Sequence, residues 1–232
     1  MFLVVLITFF QRGNRKAAVF HDDSDRLVYL RLLRDACDLH RTFVWTYTLM
    51  DNHIHIIGIP EREDSLAKTI REAHGEYSSY FNTKYALVGH VWQGRFKSVA
   101  MQENHCWNAI RYVERNPVRA GMARLAEEYL WSSAAAHCGL RDDPVLSGDC
   151  PLVTDIKNWS EWLKIENPNG FDDHIRLHTR TGKPLGSDEF VRRIESQTGR
   201  KLLPQKRGPH PKSEQTGINT DDSKDQPPTL FG

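Results

Sequence analysis

Two runs of β-branched and aromatic residues, 42–50 and 53–59, are joined only by Asp51 and Asn52. So short a connection, made of turn-forming residues, leaves no room for a crossover, and the two runs must pair as an antiparallel hairpin. Pro60 ends the second run. Upstream lies an apolar run, 2–11, closed by Arg12-Gly13-Asn14-Arg15. It is too short to cross a bilayer and lacks the basic flank and cleavage site of a targeting signal, so it reads as a buried first strand. Residues 22–40 read as a helix. Asp22, Asp23 and Ser24 suit its start, and Leu27, Leu30, Leu33 and Cys37 give a periodic apolar face. Asp64 and Ser65 can cap a second helix with apolar positions Leu66, Ile70, Ala73, Tyr77 and Phe81. A fourth strand follows over 95–102. Asn104 can cap a third helix that reaches about Arg115, where Pro117 stops it.

Strand, helix, strand, strand, helix, strand is the split βαβ, ferredoxin-like order. The expected fold class is therefore α+β: an antiparallel sheet, its first and third strands central, with helices packed on one face. A short element follows over 125–139 and a linker over 142–151. A small, mainly helical region comes next, and the polar, Pro-rich end from 208 reads as disordered. The expected division is 1–140 as the main domain, 141–205 as the helical region and 206–232 as a basic, polar tail.

The net charge of +1 over 232 residues does not mark a nucleic-acid binder. Charge is uneven, however: 200–212 carries Arg200, Lys201, Lys206, Arg207 and Lys212 with no acid, and such stretches can neutralise phosphates. The four cysteines form no C-x-x-C pair. That argues against a zinc knuckle or redox motif and fits reduced thiols in a cytosolic protein.

Three features carry chemistry. His53-Ile54-His55 sits on a strand, so both imidazoles project to one side and Ile54 to the other. Neutral imidazoles bind divalent metals; the alternative is a strand with one polar face. Asn108, Tyr112 and Asn116 share one helical stripe, beside a packing stripe of Cys106, Ile110 and Val113. Tyr112 and Asn116 can thus face a common site, or the tyrosine can simply pack at the sheet edge. Finally, 90–98 interleaves aromatics with Arg95 and Lys97, as base-stacking surfaces do, although a loop and plain strand would look the same. Gly94 there is expected to let another backbone come close.

The motifs Gln11-Arg12-Gly13-Asn14, Met50-Asp51-Asn52-His53-Ile54-His55, Gly89-His90-Val91-Trp92-Gln93-Gly94-Arg95-Phe96-Lys97-Ser98, Tyr112-Val113-Glu114-Arg115-Asn116-Pro117 and Tyr129-Leu130-Trp131-Ser132-Ser133 occur in this order. Together they resemble the single-tyrosine HUH transposases, above all the REP-associated tyrosine transposases of bacteria, from about residue 8 to 139. The resemblance implies a catalytic Tyr112 and a divalent metal, Mg2+ or Mn2+, held by His53, His55 and Asn116. It implies cleavage and strand transfer of single-stranded DNA at hairpin-forming repeats, through a 5'-phosphotyrosine intermediate. Arg12, Asn14, Trp92, Arg95, Lys97, Arg119, Lys206 and Arg207 are the expected DNA contacts. A homodimer (a monomer being the other possibility) in the bacterial cytoplasm, associated with the nucleoid and not with a membrane, is the implied setting. The other reading is a protein of this scaffold that grips nucleic-acid hairpins without cutting. The chain departs from the family in two places: Leu6 to Phe10 replace polar residues, and Asp51 replaces a proline.

Overall fold

The structure is a computed structural model that describes residues 6–148, 150 and 155–203. Expectations that fall on the first five residues, on Lys206 and Arg207, and on the tail lie outside that range. Among the described residues, four strands form one antiparallel sheet in the order β2-β3-β1-β4. They are β1 (Leu6–Arg12), β2 (Thr42–Met50), β3 (His53–Pro60) and β4 (Lys97–Met101). β1 and β3 are central, as the order of elements requires. The register sets His55 against Phe10 and Thr48, and His53 against Arg12 and Met50.

The two helices of the split βαβ unit, α1 (Asp23–His40) and α2 (Ser65–Tyr85), pack together on one face. Phe9, Tyr47, Leu49, Ile54 and Ile56 join them in one apolar core. A register shift between Val44 and Thr46 lets Val44 and Tyr47 enter that same core. It also turns Thr46 and Thr48 to the opposite face, where they bond Glu114 and the Val113 carbonyl. That face has its own helical cover: α3 (Cys106–Glu114), the short α4 (Asn116–Arg119) and α5 (Ala134–His137), then α6 (Trp159–Lys164) and α7 (Phe171–Thr181). Ile57, Val99, Met101, Ile110, Phe171 and Ile175 are buried together there. A last helix, α8 (Asp188–Thr198), follows Leu185, whose backbone bonds Ala100 and Gln102 at the sheet edge.

Four local expectations differ from the structure. The buried stripe of α1 is Arg26, Tyr29, Leu33, Ala36 and Cys37, while Leu27 is exposed. The helix is turned because Tyr29 anchors an aromatic cluster with Phe20 and Tyr77, and because Arg26 pairs with Asp51. Asp64 precedes α2 without a side-chain cap, because its carboxylate pairs with Lys68 at 2.6 Å. Asn104 lies in a 3-10 turn, and His105 occupies the position before α3. α3 ends at Glu114 with Arg115 as its C-cap, where the helix is expected to end, but Pro117 does not lie outside helical structure. The chain breaks at Arg115, and Pro117 sits in the first turn of α4, where a missing N–H costs nothing.

Candidate active site

The sheet's polar end opens into a cavity of about 760 Å³ lined by residues of β1, β3, α3, α4 and α7. Its floor is the His face of β3. The two imidazole rings are 5.2 Å apart between centroids and nearly perpendicular, with Phe10 packed against both. His53 Nδ1 bonds the Asn52 Oδ1 at 2.6 Å, which fixes that ring. Asn52 is itself tied to the Lys16 carbonyl. Burial, reinforced by the Arg12 guanidinium, lowers the His53 pKa to about 4. Burial also holds His55 well below its ordinary value, with His53, Arg119 and Arg12 adding repulsion. Both rings are therefore neutral at pH 7, the state in which imidazole offers a lone pair.

α3 lays Tyr112 across this floor. Its ring stands edge-on to His55 at 5.9 Å between centroids. Tyr112 is only 6% exposed: it packs in the apolar cluster of α3 and also lines the cavity. Two arginines attend it. The Arg119 guanidinium carbon lies 4.0 Å from the ring centroid, and Arg119 Nη1 donates to the Tyr112 carbonyl at 2.9 Å. Burial lowers the Arg119 pKa against the attraction of Tyr112 and Asp172. Arg176 reaches the same ring from α7, 5.8 Å from its centroid. Tyr112, as hydrogen-bond partner and countercharge, holds Arg176 above its ordinary value. Asn116 lines the same cavity from α4.

The remaining lining is strongly basic. Arg12, Arg95, Lys97, Arg176 and Arg180 contribute, and no described lining residue is a carboxylate. Among the described residues no group of three or more His, Cys, Asp or Glu could hold a metal. Any ion here would rest on the two imidazoles, the Asn116 amide, and oxygen donors from water or phosphate.

The structure thus brings Tyr112, His53, His55, Asn116, Arg12, Arg95 and Lys97 together, with Arg119 over the tyrosine ring, and places Trp92 and Asn14 elsewhere. Trp92 is 8% exposed and stacked on His74 at 4.2 Å, so its ring faces the core on the α1–α2 side. Asn14 is exposed, and its backbone N–H donates to the Val91 carbonyl, bracing the loop. Arg119 lies over Tyr112, and Asn108 bonds Arg111. Gly94 is glycine for a different reason than expected: space beside it is open, but its φ is +60°, the left-handed region. Sequence reading missed Arg176, Thr179 and Arg180. Their signal was available as a polar stripe at helical spacing on 176, 179 and 180, next to buried Ile175.

Comparison with known proteins yields one family and a set of solved structures. Residues 6–116 match the family model described as transposase IS200 like. A solved REP-associated tyrosine transposase bound to a REP hairpin aligns at 17% identity and a TM-score of 0.49, over 68% of this chain and 93% of that one. A structure assigned as a transposase of Deinococcus radiodurans R1 aligns at 11% identity and a TM-score of 0.38, over 50% of this chain and 92% of that one. No curated protein matches the sequence.

Proposed function

We propose, from the premise that residues 6–116 form an IS200-like transposase domain, that this chain cuts and rejoins single-stranded DNA beside hairpin-forming repeats through a covalent link to Tyr112. The observation that carries this reading is the approach of Tyr112 to His55, on the floor of a cationic cavity with no carboxylate among its described lining residues. A phenol flanked by guanidinium groups is suited to attack on phosphorus.

The Tyr112 hydroxyl oxygen forms a bond to the scissile phosphorus as the bond from phosphorus to the 3'-oxygen breaks. The phenolic proton passes to solvent, the 3'-oxygen takes one up, and a 5'-phosphotyrosine remains. Attack by a second 3'-hydroxyl reverses these changes and joins new ends. Arg12, Arg95, Lys97 and Arg180 hold the backbone phosphates around the site. His53, His55 and Asn116 fit a divalent cation, because both imidazoles are neutral and all three side chains line one cavity. Mg2+ or Mn2+ bound there supplies positive charge to a scissile phosphate. One tyrosine per site calls for two copies of the chain when two ends are exchanged. No helix among the described residues is long and apolar enough to cross a membrane, and we place the protein with the nucleoid in the bacterial cytoplasm. The boundaries 1–140, 141–205 and 206–232 remain our division of the chain, although α3, α6 and α7 share one core.

The test is a labelled hairpin oligonucleotide with single-stranded flanks, incubated with protein and Mg2+ or Mn2+ and resolved on a denaturing gel. Wild type is expected to give a slow-migrating covalent band, absent from Tyr112→Phe and His53→Ala. Retarded DNA on a native gel with no covalent band from wild type would instead establish a non-cleaving hairpin binder.

A further inference from the structure

We infer that Arg176, on a helix beyond the matched transposase segment, is a catalytic residue that compensates the negative charge on the Tyr112 oxygen during cleavage and rejoining. The inference rests on the reading of Tyr112 as nucleophile and assigns its charge partner. Three observations lead there. No carboxylate among the described residues lines the cavity, so the charge that builds on the phenolic oxygen must be met by a cation. Arg119 is the nearer guanidinium, but it lies over the ring face and is tied to the Tyr112 carbonyl and, at 3.5 Å, to Asp172. Its work is to hold the ring. Arg176 lines the cavity and brings its guanidinium carbon within 5.8 Å of the Tyr112 ring centroid, and its interaction with Tyr112 raises its pKa.

The placement of Arg176 is built rather than incidental. Phe171 and Ile175 bury α7 in the same core as α3. Lys97 donates to the Arg180 carbonyl at 3.2 Å and pins the far end of the helix to β4. Arg176 also pairs with Asp173 one turn back at 2.9 Å, on the exposed side. Its planar fork can keep that contact while an N–H points to the phenolic oxygen. In the forward step the oxygen–phosphorus bond forms as the phenol loses its proton to solvent. In the reverse step the phenolate leaves phosphorus, and Arg176 stabilises it as leaving group. Cleavage by this chain therefore needs the C-terminal helices as well as the domain that carries Tyr112.

The experiment measures covalent-adduct formation in single turnover, over a range of hairpin concentrations, with full-length wild type, Arg176→Ala, Arg176→Lys and Tyr112→Phe. Arg176→Ala is expected to lose roughly 10²-fold or more in the rate at saturating DNA, while half-saturation moves by less than about threefold. Arg176→Lys should keep part of the rate, and added guanidinium chloride at low concentration should restore part of it to Arg176→Ala but none to Tyr112→Phe. Asp173→Ala, which removes only the exposed ion pair, serves as the control for disturbance of α7, and circular dichroism checks that each variant is folded. An unchanged saturating rate in Arg176→Ala, a loss confined to half-saturation, or a loss without guanidinium rescue overturns the inference and leaves the role of Tyr112 standing. Absence of an adduct from wild type overturns both.

Discussion

The two faces of the sheet are made from the same strands and do opposite things. On β3, Ile54 and Ile56 are buried against α1 and α2, in a core sealed by Tyr29, Tyr77 and Phe81. One residue along, His53 and His55 look the other way, into a basic cavity. The closed face contains polar atoms too, and two of its phenols pair inside it: the Tyr29 hydroxyl meets His74, and the Tyr77 hydroxyl donates to the Val19 carbonyl. The open face is divided. Its far half is packed under α3 and fastened by Glu114, which is fully buried and accepts from Thr46, Ser133, His137 and Trp159. Its near half keeps neutral imidazoles and several guanidiniums around an open cavity with no carboxylate among its described lining residues. Period-two alternation lets one strand serve stability with one set of side chains and chemistry with the other.

That contrast can be broken most severely at the nucleophile. Tyr112→Phe should lower adduct formation by at least ~10³-fold with little change in thermal unfolding, since only an oxygen facing the cavity is removed. Comparable losses of stability and activity would show that the tyrosine belongs to the core. Neighbouring positions on β3 then set the two faces directly against each other. Ile54→Ala should cost about 3 kcal/mol in urea unfolding, whereas His53→Ala should leave the urea midpoint nearly unmoved and abolish the covalent band. Equal destabilisation by both would erase the distinction between the faces.

The fastened half of the open face predicts a cost of similar size. Glu114→Ala strands the His137 and Trp159 donors and should cost about 3 kcal/mol. Burial alone would raise the Glu114 pKa, but the charge of His137 and bonds from His137, Ser133 and Trp159 outweigh it, and the pKa is lowered. Its contribution is therefore present above the ordinary carboxylate range and lost as pH falls through the folded-state value. Stability curves of wild type and Glu114→Gln should converge in acid, and parallel curves would refute the assignment. The smallest effect concerns His74 on the closed face, where burial lowers the pKa from 6.5 to about 3. The unfolded chain takes up this proton first, so stability falls as pH drops below 6.5, by about 1 kcal/mol over the first unit. His74→Phe should flatten that part of the pH–stability profile.

How far the sequence reached is clearest at single residues. The His53/Ile54 alternation and the Tyr112/Asn116 spacing were legible, because a strand or helix fixes which side chains share a side without help from the rest of the molecule. Trp92 was misread. Aromatic and basic residues interleaved along 90–98 resemble an exposed stacking surface, but the indole found a partner in His74 of α2, and no local rule foretells that contact. Leu27 was read as buried because leucine spacing on α1 was regular, yet the ion pair of Arg26 with Asp51 and the aromatic cluster around Tyr29 turned the helix. Arg176 was passed over because its neighbours in sequence say nothing of Tyr112.

The sequence by itself determined the order of elements, the hairpin at Asp51-Asn52 and the orientation of the imidazole pair, since each follows from backbone geometry over a few residues. Only the tertiary structure decided that α3 and α7 share a core, and so that Arg119 and Arg176 flank one phenol. The physical reason is that a guanidinium far along the chain comes within reach of that ring only after apolar burial, which has no memory of sequence distance, has paid the entropy of bringing the two helices together.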